Sequence, residues 1–429
     1  MEYDEIIIGA GMAGLYWVYK TRPTNFLILE KLDRIGGRVW NKMWNGHQIS
    51  LGGGVIKASN ILTINLAKDL ALELGSSISK YYMVDFSTHS GSVHSRSNNI
   101  SDNISDNISA NELDKIPNEE EFYKSNLIIT KYLKKIYKAN KQEIQDKKLT
   151  WDEFLDLYLS VNVAKTIKSN LLYQTYSNAD PYSVLYLEID ELLRTKEFEI
   201  KYIKDLGYTR LLEKLVGIVG RQNIRTNTTV TKITKQNEIY KIYLGDEQFV
   251  KAKKIIVATP VINGIQFDLP IGVSDNITKL YGMVGGSKYI RIYSYHSKKH
   301  GLKYSYRTTG LPGKVILINE YILMCSYTEE IPATRLYELL SKNTKEAQLE
   351  IIHDLLKNCG INVTKPDDII IKLWDIGVHF NKPGYSQENK YKLLADLKNH
   401  GIIIIGEAVG DTHGWVNSAF ESVETIILL

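Results

Sequence analysis

The chain has 429 residues, of which 44% are hydrophobic and 24% are charged. This length predicts two or three domains with ordinary cores, and the composition excludes a fibrous or disordered protein. The formal net charge of +4 is spread along the whole chain. Without a run of about five or six Lys or Arg residues, neither nucleic acid nor a membrane surface is the expected partner. A small-molecule partner is expected instead.

The cysteines and the N-terminal residues indicate the cellular compartment. Cys325 and Cys359 lie far apart in no metal-binding spacing, so neither a disulfide framework nor a metal site is predicted. Residues 1–8 lack the form of a signal peptide, and no stretch reaches the roughly 18 apolar residues of a bilayer span. We therefore expect a cytoplasmic protein without a membrane anchor.

The N-terminal segment predicts a β–α–β unit. An apolar run at residues 5–8 precedes Gly9, a helix-length stretch covers residues 12–19, and a second apolar run at residues 27–29 precedes Glu30. This order is typical of two parallel strands joined by a helix.

The residue pattern changes twice in the middle of the chain. Residues 87–118 are rich in Ser, Asn and Asp and repeat Asn-Ile-Ser three times, which predicts a polar loop. Residues 119–213 are mostly helical in period, and Thr150 with Glu153 forms the pattern of a capping box. Further strands are predicted within residues 225–257 (an antiparallel meander), 254–258, 288–295 and 402–405.

The glycine motif at residues 9–14, Gly-Ala-Gly-Met-Ala-Gly, carries the first functional signal. Gly9 permits a tight turn, Gly11 lets the backbone approach a pyrophosphate, and Gly14 allows close helix packing. The helix N-terminus offers free N–H groups, and Glu30 can accept hydrogen bonds from a ribose. The motif predicts dinucleotide binding, with NAD and FAD both open at this point.

A second glycine pair narrows the choice of dinucleotide. Residues 36–38 are Gly-Gly-Arg, and a guanidinium beside glycines suits a diphosphate. Residues 30–39 resemble the Glu-x5-Gly-Gly-Arg segment of the flavin-containing amine oxidase superfamily. Residues 51–56 resemble its Leu-Gly-Gly-x-Trp-Ile loop along the flavin, with Ser50 in place of the usual acid and Val55 in place of Trp.

The C-terminal segment carries a third match. Residues 405–408, Ile-Gly-Glu-Ala, and residues 414–422, which begin Gly-Trp-Val-Asn, resemble the closing segment of that superfamily. The resemblance implies that Glu407 bonds the ribityl chain and that the amide of Val416 faces the pyrimidine ring. A helix N-terminus there stabilises the charge of reduced flavin.

The resemblance implies FAD, held non-covalently because Val378 stands where monoamine oxidases have the attachment Cys. It also implies that Val230 meets the adenine. The implied cofactor-binding residues are Gly9, Gly11, Met12, Ala13, Gly14, Glu30, Lys31, Gly37, Arg38, Gly53, Gly54, Val55, Val230, Gly406, Glu407, Trp415 and Val416.

Three residues carry the implied catalysis. Lys288 falls where the superfamily has a lysine that holds a water against flavin N5. Trp415 falls at one wall of an aromatic cage, and His379 at the other, with Phe380 as the alternative wall. Packed aromatic residues and a surface lysine remain the structural alternatives. An electron-rich cage attracts an ammonium group, although His is less electron-rich than the usual Tyr.

The resemblance implies an α/β fold in which a Rossmann-like FAD domain of the GR2 flavoprotein type is interleaved with an α+β substrate-binding domain. The implied boundaries are 1–84, 205–280 and 390–429 for the FAD domain, and 85–204 with 281–389 for the substrate domain.

The implied reaction takes a hydride from an amine carbon to flavin N5, hydrolyses the imine and reoxidises the flavin with O₂ to give H₂O₂. The enzyme would be a monomer or homodimer. Two alternatives stay open: a related FAD enzyme with a non-amine substrate, such as a desaturase or protoporphyrinogen oxidase, and a flavin-bearing binding protein without turnover. Ser50, Val55 and His379 are the departures that keep the last one open.

Overall fold

The computed structural model describes residues 2–84, 119–170, 173–188, 197–245, 248–260, 262, 264–308 and 310–429. The strands are, in chain order, β1 (Glu2–Ile8), β2 (Phe26–Leu29), β3 (Asn41–Trp44), β4 (His47–Ser50), β5 (Ile56–Lys57), β6 (Leu74–Val84), β7 (Glu197–Ile203), β8 (Ile224–Arg225), β9 (Val230–Gln236), β10 (Ile239–Leu244), β11 (Gln248–Val257), β12 (Gln266–Asp268), β13 (Val284–Tyr295), β14 (Ser305–Thr308), β15 (Lys314–Leu317), β16 (Ile322–Glu329), β17 (Asp368–Asn381) and β18 (Ile402–Ile404).

The α-helices are, in chain order, α1 (Met12–Thr21), α2 (Ile61–Asp69), α3 (Glu119–Ala139), α4 (Lys141–Lys147), α5 (Trp151–Tyr158), α6 (Val161–Asn170), α7 (Tyr208–Val219), α8 (Ile271–Gly282), α9 (Glu330–Ser341), α10 (Lys345–Asn358), α11 (Gln387–Asn399) and α12 (Val416–Leu428). Short helical turns lie at Gln174–Asn178, Ser183–Leu187, Arg221–Asn223 and Glu407–Val409. No described helix combines the length and the apolar character needed to cross a bilayer.

The first sheet contains the predicted β–α–β unit. Its strand order is β12-β9-β10-β11-β1-β2-β8, with β18 also paired to β11. The strands β11, β1, β2 and β8 run parallel, and α1 connects β1 to β2. Residues 6–8 of β1 are buried, as expected for a parallel strand covered on both faces.

The second sheet has the order β17-β13-β16-β15-β14-β6-β7-β5. The long strands β13 and β17 are antiparallel and bring residues 284–295 opposite residues 368–381. Along β13 the side chains alternate between two environments. Ile290 and Ile292 join the core formed with α9 and α10, whereas Tyr293 joins a separate cluster with residues of β4.

The helices α3 to α6 form a separate hydrophobic cluster around Trp151 and Phe154, both fully buried. The predicted capping box is confirmed, because Thr150 accepts a hydrogen bond from the Glu153 amide and Glu153 accepts one from the Thr150 amide. This cap fixes the start of α5.

The strand predictions at the N-terminus, at residues 254–258 and at residues 402–405 are confirmed, and these strands share one sheet. The mainly helical block predicted at residues 119–213 is wrong at residues 197–203, which form β7. The predicted polar loop at residues 87–118 lies outside the described residues. The domain boundaries stay a prediction; β5 and β6, expected in the FAD domain, pair in the second sheet.

Candidate functional site

The turn between β1 and α1 depends on two glycines. Gly9 has a φ of +109°, which favours glycine. A Cβ on Gly14 would lie 2.3 Å from the carbonyl oxygen of Gly9, so α1 can approach this close only without a side chain there. Gly11, which has no side chain, occupies the cap position of α1, and no acidic residue lies in the first turn of the helix. The N–H groups and the positive dipole end are thus available to an anion.

The second glycine pair packs against this turn. The Gly36 amide donates to the Ala10 carbonyl at 2.9 Å, and a Cβ on Gly37 would lie 3.4 Å from the Cα of Gly11. A Cβ on Gly11 would meet no described atom within 4 Å. The two loops therefore touch each other and leave open space beside Gly11.

Glu30 lies against the same turn and is 6% exposed. Its Oε2 accepts the Ala10 amide and its Oε1 accepts the Leu32 amide, both at 2.9 Å. Each carboxylate oxygen can accept a further hydrogen bond. The structure thus brings Glu30 to the glycine turn, whereas the neighbouring Lys31 is exposed.

Glu407 connects three distant segments and is also 6% exposed. Its Oε1 accepts the amides of His379 at 3.0 Å and Gly414 at 2.7 Å, and its Oε2 lies 2.8 Å from Nη1 of Arg38. The same Nη1 donates to the Gly377 carbonyl at 3.1 Å. Burial acts to raise the pKa of Glu407, but the Arg38 cation and His379 outweigh it and hold this pKa well below its usual value.

His379 supports Glu407 through its side chain. Its Nδ1 lies 2.5 Å from Oε2 of Glu407, and its Nε2 lies 2.9 Å from the Pro260 carbonyl oxygen. Both ring nitrogens face protein acceptors, and the side chain is 3% exposed. A ring this buried offers almost no face to a substrate, so the geometry does not support the expected role as a cage wall.

Phe380, the alternative wall of the cage, packs against other residues of the protein. A Cβ on Gly285 would lie 2.3 Å from Cζ of Phe380, and the ring also packs against the helical cluster around Trp151.

The loop at residues 50–54 is held by β13. The Ser50 carbonyl accepts bonds from Nη1 of Arg291 and from the Tyr293 hydroxyl, both at 2.6 Å, and Arg291 also bonds the Gly52 carbonyl. A Cβ on Gly54 would lie 2.6 Å from Oγ of Ser50, which fixes that glycine beside the serine. Arg291 and Tyr293 are not among the site residues predicted from the sequence. The period-2 alternation of β13, which places residues 291 and 293 on one face, is the signal that could have found them.

The N-terminus of α12 resembles that of α1. Trp415 occupies the cap position, its own side chain makes no cap hydrogen bond, and the first turn of α12 lacks an acidic residue. A Cβ on Gly53 would lie 3.3 Å from Cγ2 of Val416, so the loop at residues 50–54 meets this helix end. Trp415 is half-buried, and Nζ of Lys57 lies 4.6 Å from its ring centroid.

Gly406 precedes Glu407 and adopts a φ of +123°; a Cβ there would meet no described atom within 4 Å.

Lys288 lies on β13, at the point where the pairing of β13 with β17 shifts between Ser287 and Tyr289. Such an irregularity re-aims a side chain, and Lys288 is exposed while Ser287 is buried. Val230 begins β9 in the first sheet and is buried.

These features fit an extended anionic ligand. Two helix N-termini without side-chain caps and without acidic residues face open space at Gly11 and the loop at Gly53. The backbone at Gly37 and Arg38 links the two, because Gly37 lies against Gly11 and the Gly53 amide donates to the Arg38 carbonyl at 3.0 Å, and the Arg38 guanidinium pairs with Glu407. Backbone N–H groups, helix dipoles and an arginine together favour phosphate oxygens. Among the described residues, no group of three or more His, Cys, Asp or Glu side chains could hold a metal ion.

Comparisons with known proteins identify the family and the fold of the chain. The family model of the flavin containing amine oxidoreductases matches residues 20–423. Among solved structures, a wild-type putrescine oxidase bound to putrescine is 13% identical, with a TM-score of 0.73 over 100% of this chain and 98% of that chain. A redesigned triple mutant of putrescine oxidase is 14% identical, with a TM-score of 0.74 over 99% of this chain and 98% of that chain.

Cyclohexylamine oxidase from Brevibacterium oxydans IH-35A is 18% identical, with a TM-score of 0.70 over 100% of this chain and 98% of that chain. At these identities the structures establish a shared fold. The family match covers nearly the whole chain, and the chain therefore belongs to the flavin-containing amine oxidoreductases. A flavin cofactor and oxidoreductase chemistry follow from that membership, and the resemblance seen in the sequence is confirmed.

Proposed function

We propose that the chain is an FAD-dependent amine oxidase. Two helix N-termini without a side-chain cap or an acidic first turn, together with the Arg38–Glu407 ion pair, carry this proposal. In a dinucleotide with two phosphates, the α1 N-terminus and Arg38 would hold the diphosphate, and Glu30 would accept the ribose hydroxyls. Glu407 would bond the ribityl chain, and the Val416 amide would face the flavin ring.

The proposed cofactor is bound without a covalent link. Val378, which follows Gly377 on β17, has no nucleophilic atom to attach to a flavin. The polar groups of the site would therefore have to retain the cofactor alone. Denaturation of the purified protein should release all of the flavin as free FAD.

When bound, FAD would accept a hydride from the amine carbon and pass the electrons to O₂, which gives H₂O₂. The residues of the chain would bind the substrate and position water. Trp415 is the proposed aromatic wall for the amine, because an indole ring attracts an ammonium group. Lys288 is the proposed group that orients the water that hydrolyses the imine.

One observation favours a second candidate, an FAD enzyme that acts on a non-amine substrate. The ammonium of Lys57 already lies 4.6 Å from the Trp415 ring centroid. A second ammonium group at the same ring would be repelled by a charge of the same sign. A substrate without a cationic group at that ring would avoid this repulsion.

Anaerobic titration of the purified protein with amines distinguishes the two candidates. We expect loss of the oxidised-flavin absorbance on addition of a diamine, a monoamine or an L-amino acid, followed by H₂O₂ on admission of air. Lys288→Met should slow this reduction, or the reoxidation, by about tenfold or more while flavin content stays the same. Lys298→Met, another exposed lysine that follows β13, is the matched control.

A flavin that no amine reduces would reject the amine substrate and leave the non-amine candidate. Equal kinetics for Lys288→Met and Lys298→Met would make Lys288 an ordinary surface residue.

A further inference from the structure

A cavity of about 480 Å³ lies where the C-terminal end of α8, the turn after β17 and the beginning of α11 meet. Four lysines from four segments line it: Lys148 after α4, Lys279 on α8, Lys382 after β17 and Lys392 on α11. None of its lining residues belongs to the proposed cofactor or catalytic set. We call it the lysine cavity.

The charge of the lysine cavity is of one sign. Among the described residues that line it, none is Asp or Glu. Lys392 pairs with Glu388 at 2.6 Å on the exposed face of α11, but Lys148, Lys279 and Lys382 form no ion pair with any described carboxylate. A concave surface lined by charges of one sign concentrates the field and attracts the opposite ion.

The backbone that carries these lysines is fixed. The Lys382 amide donates to the Met283 carbonyl at 2.8 Å, and the Gly384 amide donates to Oδ2 of Asp180 at 3.1 Å. A Cβ on Gly384 would lie 3.5 Å from Cγ of Lys148, so the stem of Lys148 lies over that glycine. The backbone at these residues therefore does not have to be ordered on binding, whereas the four lysine side chains are exposed.

We propose that the lysine cavity binds a small molecule with two or more phosphate groups. Lysine ammonium groups bind phosphate oxygens as point charges, and three of them without carboxylate partners can neutralise a multiply charged anion. Asn389 adds a neutral side-chain amide to the lining. The volume suits a compact small molecule, which is why inorganic polyphosphate and a nucleoside triphosphate are both fitting sources of the same chemistry.

The proposal does not depend on the amine oxidase reaction, because the lysine cavity shares no residue with the proposed reaction site. Phosphate that binds in the lysine cavity can also be distinguished from phosphate that binds at the dinucleotide site, because the test uses the full chain with its flavin bound. Any displacement of the cofactor by phosphate would appear as free flavin fluorescence.

The experiment is calorimetric titration of the flavin-loaded protein with inorganic tripolyphosphate and, separately, with ATP. We expect saturable binding that weakens as NaCl is raised. The triple variant Lys148→Met, Lys279→Met, Lys382→Met should bind tripolyphosphate about tenfold more weakly or worse, with unchanged flavin content. The corresponding triple Lys→Arg variant should retain the binding.

The matched control removes three exposed lysines elsewhere, at Lys165, Lys214 and Lys357, so that the net charge changes equally. Absence of saturable binding to the parent protein, or equal loss in the control variant, would overturn the proposal. Binding of ATP but not tripolyphosphate would also overturn it, because recognition would then rest on the nucleoside. If the cavity lysines serve only to complement the C-terminal dipole of α8, the titrations will be flat.

Discussion

Glu30 and Glu407 are equally buried, but different groups stabilise their charges. Glu30 accepts two backbone amides, at 2.9 Å each. Glu407 accepts two amides as well, but it also lies 2.8 Å from the Arg38 guanidinium. Loss of the Glu407 carboxylate would leave a partly buried cation without its partner, which is costly for folding. Glu30 is therefore the better position at which to test cofactor binding by substitution.

We expect Glu30→Ala to lower both stability and flavin retention. The change leaves the buried amide of Ala10 and the partly buried amide of Leu32 without a carboxylate acceptor, which costs about 1 to 3 kcal/mol for a donor that water does not reach. It also removes the proposed ribose acceptor. Urea denaturation and the ratio of flavin to protein absorbance after gel filtration measure the two effects.

Asp33→Ala is the control for Glu30→Ala, because Asp33 is an exposed residue of the same segment with the same charge. It should change neither quantity. Full flavin retention by Glu30→Ala would reject the proposed ribose contact, whatever happens to the stability.

At the scale of elements, the β1–α1 turn uses glycine for two different physical reasons. At Gly14, a Cβ would lie 2.3 Å from the Gly9 carbonyl oxygen and 3.1 Å from Cγ2 of Ile7. At Gly11 it would meet no described atom within 4 Å, and the backbone there has a φ of −79°, which any residue adopts. Packing thus requires Gly14, whereas only a bound ligand would require Gly11.

Two single substitutions distinguish the packing requirement at Gly14 from the ligand requirement at Gly11. We expect Gly11→Ala to unfold at the same temperature as the cofactor-free parent but to lose most of its flavin, because the methyl group would enter the space proposed for the diphosphate. Gly14→Ala should cost about 1 to 3 kcal/mol of stability through overpacking and lose flavin as a consequence. Thermal unfolding of the apoprotein measures the stability, and flavin titration measures the binding of the cofactor.

Gly217→Ala is the control, because a Cβ there would also meet no described atom within 4 Å and the residue lies within α7. It should keep its flavin and gain up to about 1 kcal/mol from better helix propensity. If Gly11→Ala binds flavin as tightly as Gly217→Ala, the phosphates do not lie at Gly11.

At the scale of the whole molecule, the sequence predicts the parts whose signals are local. The apolar runs within β1, β2, β11 and β18 are short and continuous, and all four strands lie in one sheet. The second sheet was harder to predict. Its strand β7 lies within a segment of helical period and pairs with β5 and β6, more than a hundred residues away in the chain.

The site residues fall into the same two groups, those with a local sequence signal and those without one. Residues 9–14, Glu30 and Gly37 lie in sequence motifs, and the structure brings them together because their loops follow neighbouring parallel strands. The side-chain partners of His379 depend on how β17 lies against Glu407 and Pro260, and no local pattern encodes that register. The contacts of Arg291 with the loop at residues 50–54 likewise follow from tertiary packing.

Asp180 joins the helical region to the turn after β17. Its amide donates to the Asn381 carbonyl at 2.8 Å, and its carboxylate accepts the amides of Ser183 at 3.2 Å and Gly384 at 3.1 Å. Burial raises the pKa of Asp180 from 3.8 to about 6, against the lowering effect of these amides. The charge of Asp180 therefore weakens the junction that its hydrogen bonds form.

This raised pKa predicts a pH dependence of stability. Because the folded state holds the proton more tightly than the unfolded chain, the contribution of Asp180 to the free energy of unfolding is largest below about pH 4. It falls as the pH rises to about 6 and is constant above, a change of about 3 kcal/mol. Asp180→Asn, which stays neutral, should lack this fall, and the exposed Asp275→Asn should retain it. Urea denaturation at several pH values between about 4 and 7 measures the difference, and parallel curves for the parent and Asp180→Asn would show that Asp180 titrates alike in both states.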